Sequence, residues 1–136
     1  DCGVKSVHVR TLDPRVKKFI NQHIFQNMNR KSCDAVIKQR KIIETNSKKC
    51  KKENTFISAS YGIVQKICGD EGEPYPGNQN LRISLKKFRV VNCKCNKNKS
   101  LPHCKCRGSD ANLRIVISCD NKGNPVHYEK GVKILN

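Results

Sequence analysis

Apolar positions recur with a helical period in the first part of the chain and with a period of two in the last part. Val16, Phe19, Ile20, His23 and Ile24 fall on one face of a helix predicted over residues 14–24. Asp13 supplies its N-cap and Pro14 suits its first turn. A second short helix is predicted over residues 32–39, with Val36 and Ile37 inward, and a third over 60–67, stopped by Cys68-Gly69. Residues 70–80, "DEGEPYPGNQN", are acidic and rich in Pro and Gly, and predict a loop. Beyond them Leu81, Ile83 and Leu85 alternate with Arg82, Ser84 and Lys86, so "LRISLKKFRVVNCKC" reads as a strand. "NLRIVISCD" and "PVHYEKGVKIL" predict two more. Helices first and antiparallel strands later define an α+β fold. It forms one domain over residues 14–136, preceded by a mobile arm over 1–13.

Composition changes this picture in three ways. With 136 residues, no Trp, four Phe and three Tyr, the core is small and needs covalent staples. Nine cysteines in so short a chain point to an oxidising compartment and a disulfide framework. Twenty-eight Lys and Arg against 11 Asp and Glu give a formal charge of +17, which favours polyanion partners: nucleic acid, heparin-type glycans or anionic bacterial surfaces. No apolar run is long enough to span a bilayer. The chain begins at Asp1 and reads as a mature secreted protein whose targeting segment has been removed.

One stretch calls for chemistry. In "KKCKKENTFIS", residues 48–58, lysines surround a cysteine and lead directly into an apolar strand. A cation placed there is held rigidly enough to stabilise negative charge. Of the four histidines, His8 and His103 offer nothing beyond an ordinary surface or packed role. His23 lies on the apolar face of the first helix. His127 sits mid-strand in "NPVHYE", with Glu129 near enough to orient an imidazole. Two positioned imidazoles and one rigid lysine suffice for phosphodiester transfer without a metal or cofactor. One imidazole takes a hydroxyl proton, the other protonates a leaving oxygen, and the lysine stabilises the pentavalent phosphoryl anion. The nucleophile must then be a 2′-hydroxyl, so the substrate is RNA.

"FINQHI" (residues 19–24), "CKKENTF" (50–56) and "PVHYE" (125–129) resemble, in order, the three motifs of the pancreatic ribonuclease superfamily. The resemblance covers roughly residues 15–132, and the Cys-Lys-x-x-Asn-Thr-Phe signature is highly specific. "GNQNLRIS" and the absence of an extra disulfide in residues 70–80 are most similar to the angiogenin branch and its non-mammalian relatives. The resemblance implies a ribonuclease A-like domain with three short helices on a bent antiparallel sheet. It also implies roles: His23 as general base, His127 as general acid, and Lys51 as the transition-state cation. Gln22 would bond a phosphate oxygen, and Thr55 would select pyrimidines through its backbone amide and hydroxyl. Asn54, Asn80, Tyr128 and Glu129 complete the implied substrate-binding set.

The sequence also departs from the family. Tyr128 stands where a Phe or Leu usually lines the base pocket. Glu129 replaces an aspartate, so its hydrogen bond to His127 must accommodate an extra methylene. Lys130 lies near where angiogenin-type chains often carry a pocket-blocking glutamine. Residues 38–41, with Lys38, Arg40 and Lys41, fall near the nuclear-targeting cluster of angiogenin; the alternative is a solvated face.

For the cysteines, the resemblance implies the pairs Cys33–Cys93, Cys50–Cys104 and Cys68–Cys119. Cys95 and Cys106 each lie two residues beyond a family cysteine. That spacing keeps them on their neighbours' faces, but antiparallel register separates them unless the pairing is offset. A Cys95–Cys106 bridge is expected; the rival is a zinc site built from "CKC" and "HCKC" with His103. Cys2 is left over, able to link a second chain in an otherwise monomeric protein.

The functional expectation is a secreted endoribonuclease cleaving 3′ of pyrimidines through a 2′,3′-cyclic phosphate. The resemblance adds angiogenin-like activity, a cell-surface receptor and nuclear uptake. The alternative is a cationic host-defence protein acting by charge alone.

Overall fold

The computed structural model describes residues 13–133. Residues 1–12, which include Cys2, His8 and nearly all of the expected arm, lie outside the described residues, as do 134–136. Asp13 itself belongs to the first helix, α1 (Pro14–His23), as its N-cap: its carboxylate accepts the Arg15 N–H at 2.7 Å. Val16, Phe19 and His23 bury one stripe of α1. The helix stops one residue earlier than its apolar period because Ile24 turns extended and pairs with Ile57 in a parallel bridge.

α2 (Cys33–Arg40) is entered through a 3-10 turn, Arg30–Ser32, and closed by Lys41 in the left-handed conformation, φ 53°. α3 (Tyr61–Gln65) is capped by the Ser60 hydroxyl and tightens into a 3-10 turn, Lys66–Cys68.

Six strands follow the expected antiparallel pattern: β1 (Glu53–Ile57), β2 (Gly72–Tyr75), β3 (Asn78–Ser84), β4 (Phe88–Cys95), β5 (Cys106–Cys119) and β6 (Pro125–Val132). The order is β1-β4-β5-β3-β2, with β6 also on β5. β5 is the shared spine. Its first half pairs with β4 and its second half with β6 and β3. This division places two apolar clusters on either side of the β1–β4 pair. One joins Val36 and Ile37 of α2 to Phe56 and Val91. The other joins Phe19 of α1 and Val64 of α3 to Ile57, Val90, Ile115 and Ile117. Burial of these side chains is the main force docking the helices on the sheet.

Three strand expectations are corrected. Residues 70–80 are not wholly loop: β2 and the start of β3 form a hairpin there, turning through Gly77 at φ +88°. Pro74 is tolerated because β2 is an edge strand, paired only with β3. The stretch 81–95 is two strands rather than one. Ser84 is fully buried; its hydroxyl donates to the Lys86 carbonyl at 2.7 Å and accepts the Ile115 N–H at 2.9 Å. That bond pair turns the chain and leaves Leu85 49% exposed instead of inward. Finally, β5 begins at Cys106, six residues before its apolar pattern does. Its "CRGSDA" start has no buried side chain, so no alternation announces it. Gly108 is required within it, because a Cβ there would overlap the Arg30 carbonyl.

Four disulfides staple the domain: Cys33–Cys93, Cys50–Cys104, Cys68–Cys119 and Cys95–Cys106. The register explains the last. Cys93 faces Gly108, so the strands are offset, and this places Cys95 directly opposite Cys106. The eight cysteines from Cys33 onward are thereby consumed.

Candidate active site

α1, the segment before β1, and β6 converge on one cleft of about 930 Å³. His23, the last residue of α1, is 8% exposed and lies with its ring 5.4 Å from Phe19 and 5.3 Å from Tyr128, stacked on the latter at 28°. Its Nδ1–H donates to the Thr55 carbonyl at 2.8 Å, which fixes the tautomer and leaves Nε2 as the free base. Burial is the main cause that draws its pKa down to about 4; Lys51, His127 and Lys18 add to this, and the Thr55 carbonyl opposes it. His23 is therefore a neutral proton acceptor at physiological pH.

Lys51 is half-buried. Its ammonium donates to Gln22 Oε1 at 3.3 Å and to Asn54 Oδ1 at 3.1 Å. Asn54, buried, in turn donates to the Gln22 carbonyl at 2.7 Å. These three bonds lock the cation and the Gln22 side chain together at the end of α1. Burial holds the Lys51 pKa below its ordinary value, helped by Lys18 and opposed by Glu44.

His127 enters from β6, exposed, and its Nε2–H donates to Glu129 Oε1 at 2.8 Å. The longer glutamate thus reaches. With Nε2 engaged, Nδ1 is the nitrogen available to a ligand.

Thr55 occupies the floor of the cleft. Its carbonyl faces α1, away from β4, and in an antiparallel strand the N–H of the same residue points the same way. That donor is therefore aimed off the sheet edge. The Thr55 hydroxyl donates to Asn92 Oδ1 at 3.0 Å, and Asn92 Nδ2 donates to Glu53 Oε2 at 2.8 Å. Tyr128 closes the same end, and burial pushes its phenol up to about 12.

Of the nine residues singled out in the sequence for catalysis or substrate binding, eight line this cleft; Asn80 stands on β3, outside its lining. Lys130 lies at the rim with its ammonium 5.1 Å over the Tyr75 ring. Lys18, Glu53 and Asn92 also line the cleft and had not been foreseen. Arg40, grouped with Lys38 and Lys41 as surface charge, is instead drawn against the end of α1.

Comparison with known proteins shows the family. The family model for pancreatic ribonuclease matches residues 14–129. The chain belongs to the pancreatic ribonuclease family. Ribonuclease-like 3 of Danio rerio is 34% identical over 119 residues, covering 87% of this chain and 79% of that protein. Angiogenin of Oryctolagus cuniculus is 34% identical over 124 residues, covering 88% and 78%. Among solved structures, zebrafish RNase5 superposes with a TM-score of 0.81 at 38% identity, covering 90% of this chain and 98% of that one. RNase ZF-3E gives 0.84 at 32% identity, covering 88% and 98%. These matches place the chain in the angiogenin-like branch of the family, with its ribonuclease A-like α+β fold.

Proposed function

We propose that the protein is a metal-independent endoribonuclease that cleaves RNA on the 3′ side of pyrimidines. One observation carries this: two imidazoles with opposite free nitrogens, Nε2 of His23 and Nδ1 of His127, share a cleft with a bonded lysine. His23 takes the proton of the ribose 2′-hydroxyl. The 2′-oxygen attacks phosphorus, and Lys51 with Gln22 stabilises the charge on the equatorial oxygens. His127 protonates the departing 5′-oxygen, leaving a 2′,3′-cyclic phosphate. Hydrolysis of that ester reverses the two imidazole roles.

Thr55 supplies base selection. Its N–H meets a pyrimidine O2. Its hydroxyl proton is committed to Asn92 and the Tyr128 phenol stands beside the same oxygen, so its remaining lone pair offers an acceptor, which suits the N3–H of uracil better than the bare N3 of cytosine. Four disulfides fit a secreted, extracellular protein.

A cationic host-defence role is the second reading. Backbone bonds between residues 43–50 and 96–105 gather Lys48, Lys49, Lys97, Lys99 and Lys105, all exposed, at one end of the domain, with no ion pair to any of them among the described residues. Glycans or bacterial surfaces would bind there by charge. The angiogenin-like activities are proposals of the same standing, and nuclear uptake through residues 38–41 would rest on Lys38 and Lys41 alone, since Arg40 is engaged elsewhere. The enzyme is tested by its product: a uridylyl-adenosine dinucleotide should yield uridine 2′,3′-cyclic phosphate in EDTA, and its 2′-deoxy analogue should be inert. Cleavage of the deoxy analogue would overturn the proposal.

A further inference from the structure

His23 ends α1, and the end of a helix is its loosest part. The last four carbonyls of an α-helix have no partner within it. In α1 the final internal bond runs from the Ile24 N–H to the Ile20 carbonyl. The turn beyond it is held from two sides: from β1, where Asn54 donates to the Gln22 carbonyl and the Ile57 carbonyl accepts the Phe25 N–H, and from α2. One nitrogen of the Arg40 guanidinium, Nη1, donates to the carbonyls of Asn21 at 2.8 Å and Ile24 at 2.7 Å, with Ile20 at 3.4 Å. The guanidinium carbon, Cζ, lies 4.7 Å over the centre of the Phe25 ring. In return, the Asn21 side-chain amide donates to the Arg40 carbonyl at 3.1 Å. Four polar contacts and a cation over an aromatic ring thus bracket His23 from both sides, at residues 20, 21, 24 and 25.

The anchor is itself rigid. Arg40 closes α2, whose first residue, Cys33, is bonded to Cys93 of β4. The Lys41 N–H seals that helix end on the Ile37 and Lys38 carbonyls. Arg40 is only partly exposed, unlike Lys38 and Lys41 on either side. Burial holds its pKa below the ordinary guanidinium value, but it stays charged. Lysine would not fully substitute: it lacks the planar, delocalised face that lies over Phe25.

We propose that Arg40 is a positioning residue for the candidate general base, clamping the carboxyl end of α1 so that His23 stays buried against Thr55 and Tyr128. This rests on the role given to His23 above. The charged and titratable groups facing His23 are Lys18 on its own helix, Lys51 ahead of β1, and His127 and Tyr128 on β6; Arg40 touches none of them. Its effect on the imidazole runs through the backbone of α1. Without the clamp the last turn frays, water reaches the ring, and the desolvation that depresses its pKa is relieved. The pKa must therefore rise.

The test compares Arg40→Gln, Arg40→Lys and, as a control for net charge, Lys38→Gln. The His23 imidazole is titrated by NMR, and kcat and KM are measured on a uridylyl-adenosine dinucleotide across pH. Arg40→Gln should lower kcat by roughly ten- to a hundredfold with little change in KM, as misplacement of a reacting group does. Its His23 titration should move up toward the ordinary imidazole value, and the acid limb of kcat/KM should move with it. Arg40→Lys should fall between Arg40→Gln and the parent, and Lys38→Gln should match the parent. If Arg40→Gln does not fold, Arg40→Lys carries the test, and an unmoved His23 titration there overturns the proposal. A drop in Tm or rate with an unmoved titration also overturns it, because Arg40 would then be merely structural. Should the parent protein prove inactive on RNA, the titration still decides: a raised His23 pKa upholds the clamp even as the ribonuclease proposal fails.

Discussion

A buried histidine with a depressed pKa links stability to pH, and here the size follows from the structure. The perturbation is acidification, with His23→Gln as its control. In the unfolded chain His23 takes a proton near 6.5; in the folded protein it resists until about 4. Between those values the unfolded state binds more protons, so stability falls as pH falls. The contribution is fully present above 6.5 and fully lost below about 4, a span worth about 3 kcal/mol. From about pH 7 to about pH 5 the loss should be about 2 kcal/mol. Asp13 and Asp120, whose pKa values are lowered by backbone hydrogen bonds, titrate further down. Urea unfolding of the disulfide-intact protein at the two pH values measures the loss directly. His23→Gln keeps a side-chain donor for the Thr55 carbonyl and removes the titration, so it should lose much less. If parent and variant lose the same stability, His23 is not the source and its burial does not govern its protonation.

Two further outcomes are expected. Uridine should be preferred over cytidine at the cleavage site, and Thr55→Val should erase the discrimination while leaving binding to the phosphate backbone nearly unchanged; equal cleavage after purines and pyrimidines by the parent protein would remove Thr55 from base selection. Charge reversal at Lys49 and Lys99 should weaken heparin binding and flatten its salt dependence, with dinucleotide cleavage nearly intact; these are cleaner sites than Lys86, whose ammonium stands 5.3 Å over the core ring of Phe88.

How much of this was legible in the sequence depends on how local each determinant is. α1 could be read because Asp13, Pro14 and the Val16–Phe19–His23 stripe all act within one helix. His23, Lys51 and His127 stood out because each lies in a short motif at the end or middle of an element. The Asn92 partner of Thr55 could not be seen, since it lies 37 residues away and only the β1–β4 register brings them face to face. Arg40 was misplaced for a related reason: in a run with Lys38 and Lys41 nothing local shows that one cation turns inward. The early start of β5 was hidden because its first residues bury no side chain. The break at Leu85 was hidden because a serine, rather than a glycine or proline, makes the turn.

The central claim is that two imidazoles and one lysine cleave RNA without a metal ion. The most direct test is cleavage of a fluorogenic uridylyl-adenosine dinucleotide by the parent protein and by His127→Ala, both highly purified and in excess EDTA. The parent protein should turn the substrate over with a bell-shaped pH dependence, because one imidazole must be neutral and the other protonated. His127→Ala should fall by at least roughly a hundredfold, since it loses the proton that the leaving oxygen needs. Cleavage by His127→Ala at the parent rate, or activity in the parent that EDTA abolishes, would contradict the account.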